Sequence, residues 1–111
     1  MSIRRRRRSS WVVATNDSGR DLGDIRASLD ELDIRLVDVL AARSRLISEV
    51  IQYKQHRGLK VVDRAREDDM LAHIEVVASE RGLDPRIARQ VLRAVIDAFT
   101  LLEVEQLGSD A

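Results

Sequence analysis

Residues 21–57, DLGDIRASLDELDIRLVDVLAARSRLISEVIQYKQHR, contain no Pro and no Gly after Gly23. Apolar side chains recur at Ile25, Leu29, Leu32, Leu36, Val39, Ile47 and Val50, in steps of three and four that keep to one helix face. The stretch predicts one amphipathic helix of about 36 residues, roughly 54 Å long at 1.5 Å per residue. A compact domain of about 100 residues has a radius of gyration near 13 Å, so one subunit cannot cover such a helix. Two shorter helices would shield about half of its stripe, and a two-fold partner with a paired long helix would shield the rest. The expected fold is therefore all-α, with three helices per subunit, one very long, forming an intertwined homodimer; a plain coiled-coil dimer is the simpler alternative.

The other two helices follow from punctuation. Gly58 stops the first near the position that wants a left-handed residue, and Leu59 to Val62 reads as a short extended loop. Asp63 caps a second helix with an apolar face of Met70, Leu71, Ile74, Val77 and Ala78, which ends at Gly82. Asp84-Pro85 then supplies a capping carboxylate and a first-position proline. The third helix carries Ile87, Val91, Leu92, Val95, Phe99 and Leu102 and fades at Gly108.

Composition narrows the class. At 111 residues the chain is sized for one domain, and 44% apolar with 34% charged residues is a globular balance. No Cys is present, which rules out disulfides, zinc thiolates and cysteine nucleophiles. No apolar run approaches the roughly 20 residues needed to span a bilayer, and Trp11-Val12-Val13-Ala14 is too short for a secretory signal core, so a cytoplasmic protein without membrane contact is expected. Residues 1–20 carry six Arg against Asp17, and the remainder carries 13 Lys and Arg against 18 Asp and Glu. With no basic helix face behind it, the Arg4 to Arg8 run reads as a solvated tail, not a nucleic-acid contact. The layout is a disordered basic tail at 1–20, a helical domain at 21–107 and a flexible tail at 108–111.

Cations interrupt the apolar seam. Unrolled at 100° per residue, Arg43 and Lys54 fall within about 40° of the centre of the first helix's stripe. A buried unpaired cation costs several kcal/mol, so each needs a protein carboxylate or an anionic ligand. One such residue most simply sets register, as in coiled coils. Two, three turns apart, frame about 16 Å of helix and suit a small dianion. Glu67 lies on the face of Met70 and Leu71, where it either complements the helix dipole or meets a ligand. Glu103, four residues after Phe99, can reach the interior or end in solvent. His56 and His73 have no ligand or triad spacing, and no phosphate loop or metal cluster is evident. The chemistry implied is positioning and charge stabilisation of a small carboxylated molecule.

From Leu22 to Leu107 these residues resemble the type II, all-helical chorismate mutases. The likeness rests on Ile25-Arg26, Leu32-Asp33, Leu40-Ala41-Ala42-Arg43, Val50 with Tyr53-Lys54, Val62-Asp63-Arg64-Ala65-Arg66-Glu67, and Gly82-Leu83-Asp84, in that order and spacing. The resemblance implies a cofactor-free Claisen rearrangement of chorismate to prephenate, or of its 4-amino-4-deoxy analogue, a small dicarboxylate in either case. Arg43 would hold the side-chain carboxylate, and Arg26 of the neighbouring subunit would reach the same pocket. Lys54 would bond the ether oxygen, Arg66 would brace the arginine and carboxylate network, and Asp63 and Glu67 would take the group on ring carbon four.

Two positions depart from the common bacterial pattern. Phe99 stands where a small hydroxyl residue is usual, and Glu103 where a glutamine donates to the ether oxygen. A carboxyl at 103 donates only when protonated, which burial beside an oxygen anion favours. The extra acid leans the substrate reading slightly toward 4-amino-4-deoxychorismate, as in antibiotic biosynthesis. Ordinary chorismate, serving aromatic amino acid biosynthesis, is the alternative. An isochorismate pyruvate lyase and a non-enzymatic dimerisation module stand further off.

Overall fold

The structure, a computed structural model, describes residues 19–60 and 62–107. The arginine run at 4–8 and the tail at 108–111 lie outside the described residues. Three helices account for nearly all of the rest: α1 (Leu22–Arg57), α2 (Arg64–Glu80) and α3 (Pro85–Leu107), with no strand among the described residues. The all-helical expectation and the three boundaries stand.

Each helix end has a local chemical cause. The Asp21 carboxylate accepts from the Asp24 backbone N–H at 2.8 Å and satisfies one of the unpaired first-turn donors of α1. At the other end Gly58 takes φ 64, and the Leu59 N–H reaches back to the Lys54 carbonyl at 3.2 Å. Only a residue without a Cβ adopts that left-handed turn cheaply. Asp63 caps α2 by accepting from the Arg66 N–H at 3.1 Å. Helix α2 closes with paired bonds from Leu83 N–H to the Ala78 carbonyl and from Gly82 N–H to the Ser79 carbonyl, a Schellman motif around Gly82 at φ 77. Asp84 then caps α3 through the Arg86 N–H at 2.9 Å, ahead of Pro85. The Arg86 side chain also grips Asp84, and these side-chain and backbone hydrogen bonds hold the Asp84 carboxyl below the usual carboxylate range.

Helix α3 packs against both α2 and α1. The enclosed core is small: Ile51 from α1, Leu71 and Ala78 from α2, Ala88 and Ile96 from α3. The α2 face is the expected one. On α3 the buried row is Ala88, Ile96 and Glu103, whereas Ile87 and Val91 are half exposed. The expected face was therefore rotated by about one residue, because bulk was favoured over the small Ala88 that lets neighbouring helices approach.

On α1 the stripe splits in two. The side against α3 runs through Leu40, Ser44, Ile47, Ile51 and Lys54, all at least partly buried. A second row, Leu29, Leu32, Leu36, Val39, Leu46, Val50 and Tyr53, repeats at three-and-four spacing and stays open, with exposures from 38% to 64%. That spacing is the seam of a helix packed on another helix. The molecule measures 56 × 32 × 18 Å with a radius of gyration of 18.4 Å, well beyond the 13 Å or so of a compact domain of about 100 residues. The length of α1 thus sets the shape, and one chain covers only part of it.

Candidate active site

Where the second half of α1, the start of α2 and the end of α3 converge, they enclose a cleft of about 170 Å³. A water in the liquid occupies about 30 Å³, so the space suits a small organic molecule. The charged lining is Arg43 and Lys54 from α1, Asp63 and Arg66 at the α2 N-terminus, then Glu67 and Glu103. Ile47, Val50, Met70, Ile96 and Phe99 supply apolar wall, and Thr100 a hydroxyl. Seven of the eight residues expected at the site thus share one cleft. Arg26 does not: it is exposed in the first turns of α1, 17 residues before Arg43, or about 25 Å along the helix.

Lys54 and Glu103 form the shortest ion pair of the cleft. The Lys54 Nζ donates to Glu103 Oε1 at 3.0 Å, with side chains 18% and 9% exposed. Glu103 reaches the interior, and its carboxylate orients the ammonium that the resemblance puts at the ether oxygen. Charge-assisted bonds of this kind are about twice as strong as neutral ones.

Arg43 is bound differently. Its guanidinium carbon lies 4.7 Å from the centre of the Phe99 ring, and its Nη1 is buried without a hydrogen-bond partner. Burial lowers the Arg43 pKa; Glu103 opposes that shift and Arg66 adds to it. A buried donor left unpaired costs about 1–3 kcal/mol, more when charged, so Arg43 is poised for an anion. Phe99 therefore does more than fill the place of a hydroxyl residue: its face steadies the cation. Thr100, one position on, brings a hydroxyl to the same cleft.

Glu67 is buried at 9% exposure and is held from two sides, by Arg93 Nη1 at 3.4 Å and by the more exposed Arg64 Nη1 at 3.9 Å. Arg93 also reaches Asp97 at 3.3 Å. Sequence reasoning missed Arg93 and Thr100. The i, i+4 spacing of Arg93 and Asp97 was a visible signal for a local pair, but nothing local joins Arg93 to Glu67, 26 residues away. His56 and His73 are exposed, and among the described residues no group of His, Cys, Asp and Glu is placed to hold a metal ion. No described helix is long and apolar enough to cross a membrane.

Residues 25–104 match the family described as chorismate mutase type II. The chorismate mutase of Methanocaldococcus jannaschii is 26% identical over 86 residues, which are 78% of this chain and 87% of that protein. The T-protein of Enterobacter agglomerans is 36% identical over 76 residues, 68% of this chain and 20% of its own. The T-protein of Haemophilus influenzae is 33% identical over 72 residues, 65% of this chain and 19% of its own. The chain thus spans about a fifth of the T-proteins' length. No solved structure gives a significant match.

Proposed function

The chain belongs to the type II chorismate mutase family, a family of isomerases, and from that premise we propose that it rearranges chorismate to prephenate as a homodimer. The observation that carries the reading is the pairing of a buried, partner-seeking Arg43 with an oriented Lys54 across one small cleft. In the rearrangement the ether carbon–oxygen bond breaks as a new carbon–carbon bond forms within the same molecule. No proton, electron or group leaves, so the protein's task is to select the reactive conformer and match its developing charge. Arg43 binds the side-chain carboxylate. Lys54 donates to the ether oxygen as negative charge grows there, and Glu103 keeps its ammonium aimed. Asp63 and Glu67 take the group on ring carbon four, and Arg66 braces the anionic end. Arg26 arrives from the second subunit, whose α1 lies along the open Leu29 to Tyr53 seam.

The amino substrate is the second reading. The additional acid at 103 is what favours it, and that acid is engaged by Lys54, the residue that the family resemblance puts at the ether oxygen and not at ring carbon four. Glu67 is likewise already faced by cations. Both features support a hydroxyl over an ammonium. A side-by-side rate assay of the purified protein on chorismate and 4-amino-4-deoxychorismate, with product identification, tests this. Faster prephenate formation is expected; preference for the amino compound would reverse the substrate assignment, and turnover of neither would remove the mutase reading.

A further inference from the structure

We propose that Arg93, which lies outside the cleft lining, is a specificity-determining positioning residue that acts through Glu67 on the substituent at ring carbon four. The proposal rests on the mutase reading above and concerns the same site. Helix α2 presents Glu67 to the cleft from its first turn, and α3 presents Arg93 behind it. Arg93 Nη1 and Arg64 Nη1 both approach the same oxygen, Glu67 Oε1, at 3.4 and 3.9 Å. With Oε1 committed, the second carboxylate oxygen is the one left to accept from a ligand.

The consequence is electrostatic as well as geometric. A carboxylate with a guanidinium behind it still accepts a hydrogen bond from a neutral hydroxyl, for which direction matters more than net charge. Its attraction for an ammonium is offset by the nearby cation, since like charges oppose each other across the short distance. Arg93 therefore favours a hydroxyl over an ammonium at ring carbon four. Asp97 tunes this device. It shares the same nitrogen of Arg93 at 3.3 Å, from the exposed side of α3, and so draws part of the guanidinium's charge away from Glu67. The two neighbours of Arg93 pull in opposite directions on substrate choice.

The test is the ratio of kcat/KM for chorismate over that for 4-amino-4-deoxychorismate, measured for the unaltered chain, Arg93→Gln, Arg93→Lys and Asp97→Asn. Arg93→Gln is expected to lower the ratio about fivefold, the scale of a part-exposed ion pair, while Arg93→Lys keeps most of it. Asp97→Asn is expected to raise the ratio, because Arg93 is then left to Glu67. A purely structural clasp between α2 and α3 would scale both substrates alike and could not move the ratio in opposite directions. If Arg93→Gln fails to fold, the exposed Asp97→Asn carries the test alone. An unchanged ratio in the variants that fold overturns this proposal and leaves the mutase reading intact; turnover of neither substrate by the unaltered chain overturns both.

Discussion

Lys54 and Glu103 stand 49 positions apart in the chain and 3.0 Å apart in the fold, where they tie the second half of α1 to the end of α3. Both side chains line the cleft. In the proposed mechanism structure and chemistry therefore depend on the same two side chains, and variants that separate them are informative.

Lys54→Met should lower both turnover and stability, for different reasons. Loss of a preorganised donor to the ether oxygen is worth about 2.7–4 kcal/mol in the transition state, a hundredfold or more in kcat. Glu103 would be left as a buried charge without its lysine, a cost of about 3 kcal/mol in folding. Replacing Glu103 by Met as well should return most of the stability but none of the turnover, since apolar substitutes for a buried pair are often neutral. Urea unfolding alongside rate measurement reads both, and a Lys54→Met variant with near-native kcat would remove Lys54 from the mechanism.

Glu103 offers a second test of the same pair. Its carboxylate accepts from the Lys54 ammonium, and a charge-assisted bond of this kind is about twice as strong as a neutral one. Glu103→Gln keeps an acceptor in place without the charge, so it should hold the ammonium less firmly and lower kcat severalfold with little change in KM. A kcat equal to that of the unaltered protein would mean that Glu103 does not orient Lys54.

Arg43 should trade stability against binding. Its Nη1 lacks a protein acceptor in a buried setting, so Arg43→Met should leave the unfolding midpoint unchanged or raise it. The same change would remove the proposed charge-assisted bond to the substrate carboxylate, which at about 1.5–3 kcal/mol corresponds to between roughly ten- and a hundredfold in kcat/KM. Phe99→Leu, which strips the ring from under the guanidinium, should raise KM about fivefold with a smaller effect on kcat. Loss of stability in Arg43→Met with undiminished kcat/KM would show that Arg43 is structural.

Much of this was legible in the sequence because its causes are local. Asp21, Gly58, Asp63, Gly82 and Asp84-Pro85 mark helix ends through hydrogen bonds spanning a few residues, and the boundaries follow from them. The cleft's cations stood out because Arg43 and Lys54 interrupt an apolar stripe. What stayed hidden depends on pairing between helices. Periodicity shows that α1 is apolar on a wide face, yet not which row meets α3; that is why Ile51 is enclosed while Val50 remains 38% exposed. The contact of Arg93 with Glu67 has the same character, as does the enclosure of Ala88, whose small side chain contributes little to an apolar pattern.

The open row of α1 bears on activity as well as assembly. Leu32, Leu36 and Val39 are 54%, 50% and 64% exposed in the single chain, and leaving each uncovered forgoes roughly half of the about 1.5–3 kcal/mol that full burial of such a side chain is worth. If α1 pairs along this row as proposed, Leu36→Asp should shift the protein from dimer to monomer in sedimentation and abolish turnover, because Arg26 would no longer reach a cleft about 25 Å away along its own helix. A mixing experiment separates loss of Arg26 from general damage. Arg26→Ala and Arg43→Ala should each keep roughly a tenth or less of the native rate alone at low substrate. In a two-fold dimer built from one of each, one cleft keeps its own Arg43 and receives an intact Arg26, whereas the other has neither. Random exchange makes half of the dimers mixed, so the equimolar mixture should recover about a quarter of the native rate. Recovery near that level would identify Arg26 as the partner's contribution; no recovery after demonstrated subunit exchange would show that each cleft works with residues of one chain.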